Sequence, residues 1–405
     1  MGATVDADYD RTVALLEKLV NQNSGSMNIA GVTAVADMMR PELEALGFKV
    51  EWKPMAAVKR AGHIIATHKG KAGTKRLLLI GHLDTVFEAD SPFQTFTRKG
   101  EEAEGPGAGD DKGGMVVILS ALRAMQAAGT LKDANIEIVL TGDEEDAGDP
   151  ISISRADLIA AGKRADAALD FEGLAVEDGT DMGSIARRSS NSWTVTATGK
   201  SGHSSGIFSQ GVGDGAIYEL ARIITTFRKE LPEPNLTFNV GLIGGGQSAD
   251  VDKDGVRIAA AGKTNIIPPI AVAKGDFRTL SQEQTDRVEA KMKAIVAAHA
   301  PETGATIIFE QGYPPMAPTE GNKALLTKLN LINADLGLAQ MPPLDPLKRG
   351  AGDISFVAAD VDGLVGLGLF SRGDHAPGET ADLSSIRRQA KRAAILMSRL
   401  SREKR

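Results

Sequence analysis

The 405-residue chain contains no cysteine. That removes disulfides, thiol catalysis and thiolate metal sites together, so a metal would have to be held by His, Asp and Glu. No apolar run approaches the ~20 residues that a membrane span needs, and the opening stretch MGATVDADYD lacks the basic-then-apolar pattern of an export signal. Such a start fits a cytoplasmic protein, and equally a periplasmic or secreted one whose signal has been trimmed; the absence of cysteine fits both. Lys and Arg are scattered rather than massed, and the formal net charge is -7, which argues against nucleic acid and against an anionic membrane surface as partners. Internal repeats and low-complexity segments are absent as well.

What is present is the composition of an ordinary globular protein, 42% hydrophobic and 24% charged. The length exceeds what one core supports, so two domains, or one with a large insertion, are expected. DYDRTVALLEKLVNQNS and the stretch from Gly31 to Leu46 have helical periodicity, the second stopped by Gly47. Apolar strand-like runs then alternate with helical ones: HIIATH, RLLLIGHLDTV, the helix MVVILSALRAMQAAG, IEIVL and ADAALDFE. That alternation predicts an α/β layer sandwich with a largely parallel sheet.

From about Trp193 the pattern changes. SWTVTAT reads as a strand, followed by a helix whose apolar residues Ile217, Leu220, Ile224, Phe227 and Leu231 fall at spacings of 3, 4, 3 and 4. LTFNVGLIGGG and NIIPPIAVAKGDFR follow as strands, then a helix bearing Val288, Met292 and Ile295, then ATIIFEQ. The order β-α-β-β-α-β is that of a ferredoxin-like module. Residues 189–310 are therefore expected as an insertion in an α/β domain made of 1–188 and 311–405, which closes on a helix beginning near Leu383.

Chemistry-bearing residues collect where the α/β strands run out. His82 and Asp84 in LLLIGHLDTV are two apart, so both point to one face. The pair reads either as a metal-binding imidazole with its orienting carboxylate or as polar residues that cap a strand. GPGAGDDKGG surrounds Asp110 and Asp111 with five glycines, which let the backbone bring a carboxylate close to a ligand. Lys112 precedes Gly rather than Ser or Thr, so this is not a Walker phosphate loop; its charge is expected to offset part of the two aspartates'. In LTGDEEDAGD, Glu144 and Glu145 stand side by side. Both can serve one site only on the turn beyond the strand, since neighbours within a strand face opposite sides. With Glu172 in DFEG and His375 in SRGDHAPGETADL, two histidines and three carboxylates lie at ends of predicted elements. Such a set suits two zinc-like ions bridged by a carboxylate and a water.

GHLDTV, GPGAGDDKGG, TGDEED, DFEG, GKSGHSS, NIIPPIAVAKGDFR and GDHAPGETADL occur in the order and at roughly the spacing of the dizinc peptidases that include glutamate carboxypeptidase, acetylornithine deacetylase and succinyl-diaminopimelate desuccinylase. The resemblance covers nearly the whole chain and is strongest to the glutamate carboxypeptidase-like branch. It implies an α/β/α sandwich catalytic domain with an inserted ferredoxin-like lid and dimerisation domain, and two Zn2+ per subunit, with Co2+ or Mn2+ as substitutes. By the same resemblance His82 and Glu172 are terminal ligands of one ion, Glu145 and His375 of the other, and Asp110 bridges them, with the Asp110-Asp111 peptide cis. Glu144 falls on the general base and Asp84 on the residue that orients His82. His203 in GKSGHSS matches a lid histidine that steadies the oxyanion from the partner subunit of a homodimer. Asn265 and Arg278 match lid positions that touch substrate, while Arg278 reads equally as a structural partner of Asp276.

The implied activity is hydrolysis of an amide bond in a small peptide, as an exopeptidase of carboxypeptidase type, or in an N-acyl amino acid, as a deacylase. Glutamate-releasing relatives often carry an Arg in the segment that here reads Gln311-Gly312-Tyr313-Pro314, and a tyrosine cannot pair bidentately with a carboxylate. Arg187, Arg188, Arg349 and Arg372 are the candidates to replace it. A phosphoester hydrolase lacks support, because the motifs hold no cationic cluster for phosphate. A binding protein that had lost the chemistry would lack a ligand or the base, and here all six residues are present. His63, His68 and His299 are expected to be structural, VGLIGGG a strand end, and Trp193 a core residue.

Overall fold

The computed structural model describes residues 1–405, which divide into two compact units: Met1–Ala186 with Pro318–Lys348 and Gly352–Arg405, and Arg187–Ala317 with Arg349–Ala351. The second unit is wider at both ends than the 189–310 insertion read from the sequence. Arg187 and Met316 exchange both backbone hydrogen bonds, at 3.0 and 2.9 Å, so the paired chain continues past the last strand. No helix is long and apolar enough to cross a membrane.

The first unit is built on a six-stranded sheet. Its strands are β1 (Lys49–Pro54), β2 (Gly62–His68), β3 (Arg76–His82), β4 (Asn135–Thr141), β5 (Ala167–Asp170) and the short Gly363–Leu364, in the order β1-β2-β4-β3-β5-Gly363–Leu364. β3, β4, β5 and the last strand run parallel, while β1 and β2 are added antiparallel at one edge. The parallel strands are apolar runs because both faces are covered. The helix Lys112–Ala127 crosses over between β3 and β4, and every residue from Lys112 to Met125 is buried. MVVILSALRAM is apolar on nearly all sides, as a helix packed between neighbours requires. It packs against Tyr9–Val20 and the amphipathic C-terminal helix Ser384–Leu400.

The register matters for function. His82 at the end of β3 stands beside Thr141 at the end of β4, and Ile80 stands beside Asp170 at the end of β5. Three parallel strands therefore finish together, and the segments leaving them converge at the carboxyl edge of the sheet, where α/β folds gather ligands.

The second unit has four antiparallel strands, β6 (Ser190–Gly199), β7 (Thr237–Gly246), β8 (Ile270–Arg278) and β9 (Thr303–Tyr313), in the order β7-β8-β6-β9, with helices Ala216–Glu230 and Gln282–Ala297 between them. β6 alternates, burying Asn191, Trp193, Val195 and Ala197, and Trp193 meets Phe227 edge-on at 5.7 Å in the core. The buried stripe of the first helix is Ala216, Leu220, Ile223 and Phe227, whereas Ile217 is exposed. Leu220, Phe227 and Leu231 are buried as expected, while Ala216 and Ile223 take the places of Ile217 and Ile224 in the stripe. Glu219 is buried on the same side, paired with Arg222 and accepting from the Ala300 N–H.

Candidate metal centre

His82 ends β3 and is almost fully buried, with its Nε2 3.0 Å from Asp110 Oδ1. His375 reaches the other oxygen of the same carboxylate, Nε2 to Oδ2 at 3.0 Å, and lies 3.2 Å from Glu145 Oε2. One carboxylate is thus shared between two imidazoles, one oxygen each. His82, Asp110 and Glu145 each offer a donor atom, and the three atoms lie within 4.8 Å of one another. Glu172 leaves β5 two residues beyond Asp170 and is buried, and its charge acts on both Asp111 and Glu144.

Glu144 and Glu145 lie past the end of β4, on the turn and not within the strand. Asp84 holds them there. Its two oxygens accept the Glu144 and Glu145 backbone N–H groups at 3.0 and 3.1 Å, and Ser26 Oγ donates to it at 2.6 Å. Adjacent amides bound to one carboxylate oblige the two glutamates to share a fixed local backbone. Asp84 also lies beside His82, its Oδ1 3.4 Å and its carbonyl oxygen 3.1 Å from Nδ1.

The glycine-rich segment before Lys112–Ala127 presents Asp110, and the Asp110-Asp111 peptide is cis. Gly107 has φ +72°, a conformation that favours glycine, and a Cβ on Gly114 would lie 2.1 Å from the Phe171 carbonyl oxygen. Glu379 pins the loop. Its buried carboxylate accepts the N–H groups of Gly107, Gly109 and Asp110 at 3.0, 2.7 and 3.1 Å. Sequence reasoning missed this residue; its signal was its place four residues after His375, which ties the segments carrying two donors together. Lys112 does not offset the aspartates as expected. Its Nζ donates to the carbonyls of Gln22 and Pro106 at 2.9 and 3.5 Å, and burial pulls its pKa down to about 7.

The electrostatics call for a cation. Burial and its acidic neighbours push Glu144 well above the usual carboxylate range, and burial takes Glu145 to about 7. Burial also opposes the charge of Asp110, yet hydrogen bonds from His375 and His82 hold it well below the usual range. Those bonds from Asp110, then Glu145, raise His375 to about 11. The His375 Nε2 proton thus lies between the Asp110 and Glu145 carboxylates, where positive charge is favoured. Glu145 Oε1 is buried without a hydrogen-bond partner, which is costly for a carboxylate unless an ion meets it. The donor set therefore fits divalent metal.

Among the second unit's candidates, His203 Nδ1 accepts from the Ser205 N–H at 3.2 Å, which places the ring proton on Nε2. Asn265 joins it, the Asn265 carbonyl accepting from Ser204 N–H at 2.9 Å. Both line a 380 Å³ pocket with Ser201, Gly202, Lys263 and Ile266. Arg278 lies 3.5 Å from Asp276, so the structural pairing is present. A cavity of 680 Å³ lies elsewhere, at the opposite end of the first sheet around Arg76 and Asn135. His63 is structural: Nδ1 accepts the Gly142 N–H at 3.1 Å and Nε2 donates to the Ser154 carbonyl at 2.8 Å.

An α/β sheet whose carboxyl edge gathers two imidazoles and several carboxylates around metal-binding geometry belongs to the hydrolases that work through metal ions. The chain belongs to peptidase family M20/M25/M40, whose family profile matches residues 78–399. It is 30% identical over 400 residues to carboxypeptidase G2 of Pseudomonas sp. (strain RS-16), covering 95% of this chain and 88% of that one. It is 26% identical over 393 residues to a succinyl-diaminopimelate desuccinylase of Variovorax paradoxus (strain S110), covering 93% and 94%. In fold it is similar to aminopeptidase PepT of Bacillus cereus ATCC 10987, with a TM-score of 0.75, 17% identity and coverage of 97% and 99%.

Metal binding has a measurable signature. With His375 raised to about 11 by its bonds to Asp110 and Glu145, a divalent ion that takes its Nε2 would displace a proton at neutral pH. Zinc binding is expected to release protons, and its affinity to rise by about tenfold per pH unit for each proton displaced. Calorimetry in buffers of different ionisation enthalpy counts the protons. Zinc at 100 times its Kd should stabilise the fold by about 2.7 kcal/mol, seen as a higher Tm that chelation reverses.

Proposed function

We propose that the protein is a dizinc exopeptidase of carboxypeptidase type that cleaves the terminal amide of a small peptide. The carrying observation is the Asp110 carboxylate divided between His82 and His375, with Glu144 and Glu145 anchored side by side on Asp84. Similarity to carboxypeptidase G2 over 95% of the chain supports the same reading.

His82 and Glu172 would hold one ion, Glu145 and His375 the other, and Asp110 both, with Co2+ or Mn2+ able to replace Zn2+. When bound, the ions supply Lewis acidity, which polarises the scissile carbonyl and acidifies water. Glu144 accepts the proton of the attacking water at its carboxylate and gives it to the departing amide nitrogen. The C–N bond breaks, and the products are a carboxylate and an amine. His203, with its proton on Nε2, donates to the oxyanion of the tetrahedral intermediate. The second unit serves as lid, and in a homodimer it brings His203 to the partner's site.

Lys263, with Asn265 in the His203 pocket, is suited to the substrate's free carboxylate. Lys263→Ala is expected to raise KM roughly tenfold, about the worth of one charge-assisted hydrogen bond, with kcat little changed. C-terminally amidated substrates should be insensitive to it, and an equal effect on them would remove the assignment.

A second reading, an N-acyl amino acid deacylase, draws on the desuccinylase similarity and on Tyr313 in a segment without arginine. Zinc-reconstituted protein assayed for free amino acid release from C-terminal dipeptides and N-acyl amino acids separates the two. Preference for dipeptides supports the exopeptidase and preference for acyl substrates the deacylase. Cleavage of neither, with two metals bound, overturns the proposal.

A further inference from the structure

The turn from Gly142 to Pro150 contains neither helix nor strand, yet it must hold Glu144 and Glu145 in place. Asp84 grips it from one side. From the other, Asp143 turns inward and is fully buried, its Oδ2 accepting Ser154 Oγ at 2.6 Å and the Gly148 N–H at 2.9 Å. The buried cation there is Arg155. Its Nη1 donates to Asp143 Oδ1 at 2.6 Å, its Nη2 to the Asp143 carbonyl at 2.9 Å and its Nε to Asp353 Oδ1 at 2.6 Å. Asp353 Oδ2 in turn accepts Thr141 Oγ1 at 2.5 Å.

Thr141 is the last residue of β4, and Asp143 immediately precedes Glu144. One guanidinium therefore spans the joint where the strand becomes the turn, directly on Asp143 and through Asp353 on Thr141. Arg155, Asp143 and Thr141 are fully buried and Asp353 is 2% exposed, so solvent cannot replace any of these bonds. A lysine would carry the charge without the planar fork that meets two carboxylates and a carbonyl at once.

We propose that Arg155 and Asp353 are positioning residues for the reaction: the fork sets the backbone at Asp143 and thereby aims the Glu144 carboxylate. The proposal rests on Glu144 acting as the base. A displacement of about 1 Å at such a group costs roughly 100-fold in rate, which a staple serving stability alone would not do to molecules that remain folded.

The test compares zinc-loaded wild type, Arg155→Lys, Asp353→Asn, Glu144→Asp and Glu144→Asp/Arg155→Lys on the best-cleaved substrate of the panel, with zinc stoichiometry and Tm measured beside kcat and KM. Arg155→Lys is expected to lose about 10- to 100-fold in kcat, with KM within about threefold and two zinc ions per chain retained. Asp353→Asn should lose less, in the same direction. In the Glu144→Asp background Arg155→Lys should change kcat by less than about threefold, because residues acting through one group do not multiply. A lowered Tm with wild-type kcat in the folded fraction, or effects that multiply with Glu144→Asp, would overturn the proposal. Should Arg155→Lys not fold, Asp353→Asn decides by the same kcat, KM and zinc criteria. Normal turnover by Glu144→Ala defeats the base assignment itself and this inference with it, an outcome distinct from wild-type kcat in the positioning variants.

Discussion

Glu144→Ala is expected to abolish turnover, with kcat falling by about 10²–10⁴-fold, the usual worth of a general acid-base group. Zinc content should remain at the wild-type level, because the clustered donor atoms belong to His82, Asp110 and Glu145. The metal-free variant should be no less stable than wild type. Glu144 is pushed far above the usual carboxylate range by burial and by the charges of Glu172, Asp353 and Glu145, so its removal relieves the cluster. Steady-state kinetics, metal analysis and a thermal melt on one preparation check all three points. Retained turnover would remove Glu144 as the base, and loss of zinc would make it a ligand instead.

Asp84→Asn is expected to damage both stability and rate. The carboxylate accepts three hydrogen bonds, from Ser26 Oγ and the Glu144 and Glu145 amides, on both of its oxygens. An amide side chain turns one acceptor into a donor that faces a backbone N–H. At about 1–3 kcal/mol for each buried group left unsatisfied, the loss is roughly 2–4 kcal/mol, readable from denaturant unfolding. Activity should fall about 10–100-fold, as outer-shell partners of metal ligands usually show, because the same change frees the turn that carries Glu144, the proposed base, and disturbs the surroundings of His82. A variant with normal stability and rate would mean that the turn is held by the Arg155 side alone.

Much of this centre is legible in the sequence because its parts are local. The i, i+2 pair His82 and Asp84 follows an unmistakable apolar strand, and Glu144-Glu145 follows another. The glycines around Asp110 announce a close backbone approach, and Trp193 in an alternating strand announces a core. Other features left no such trace. Glu219 is buried, and its contact with the Ala300 amide, 81 residues on, exists only after folding. Lys112 reads as a counter-charge to Asp110 and Asp111, yet its stem carries the ammonium away to the Gln22 carbonyl. The support given by Arg155 and Asp353 left no trace, since Asp353 meets Arg155 and Thr141 from about 200 residues away in the chain.

The sequence by itself determined which residue types could do chemistry here: without cysteine a metal falls to His, Asp and Glu, and strand-end placement names the candidates. Only the tertiary structure decided how they meet. The parallel register sets His82 beside Thr141, Asp84 receives two consecutive amides, and Asp110 is divided between histidines at positions 82 and 375. Periodicity records which side a residue faces, but a shared carboxylate depends on distances between segments hundreds of residues apart, and those exist only once the sheet has formed.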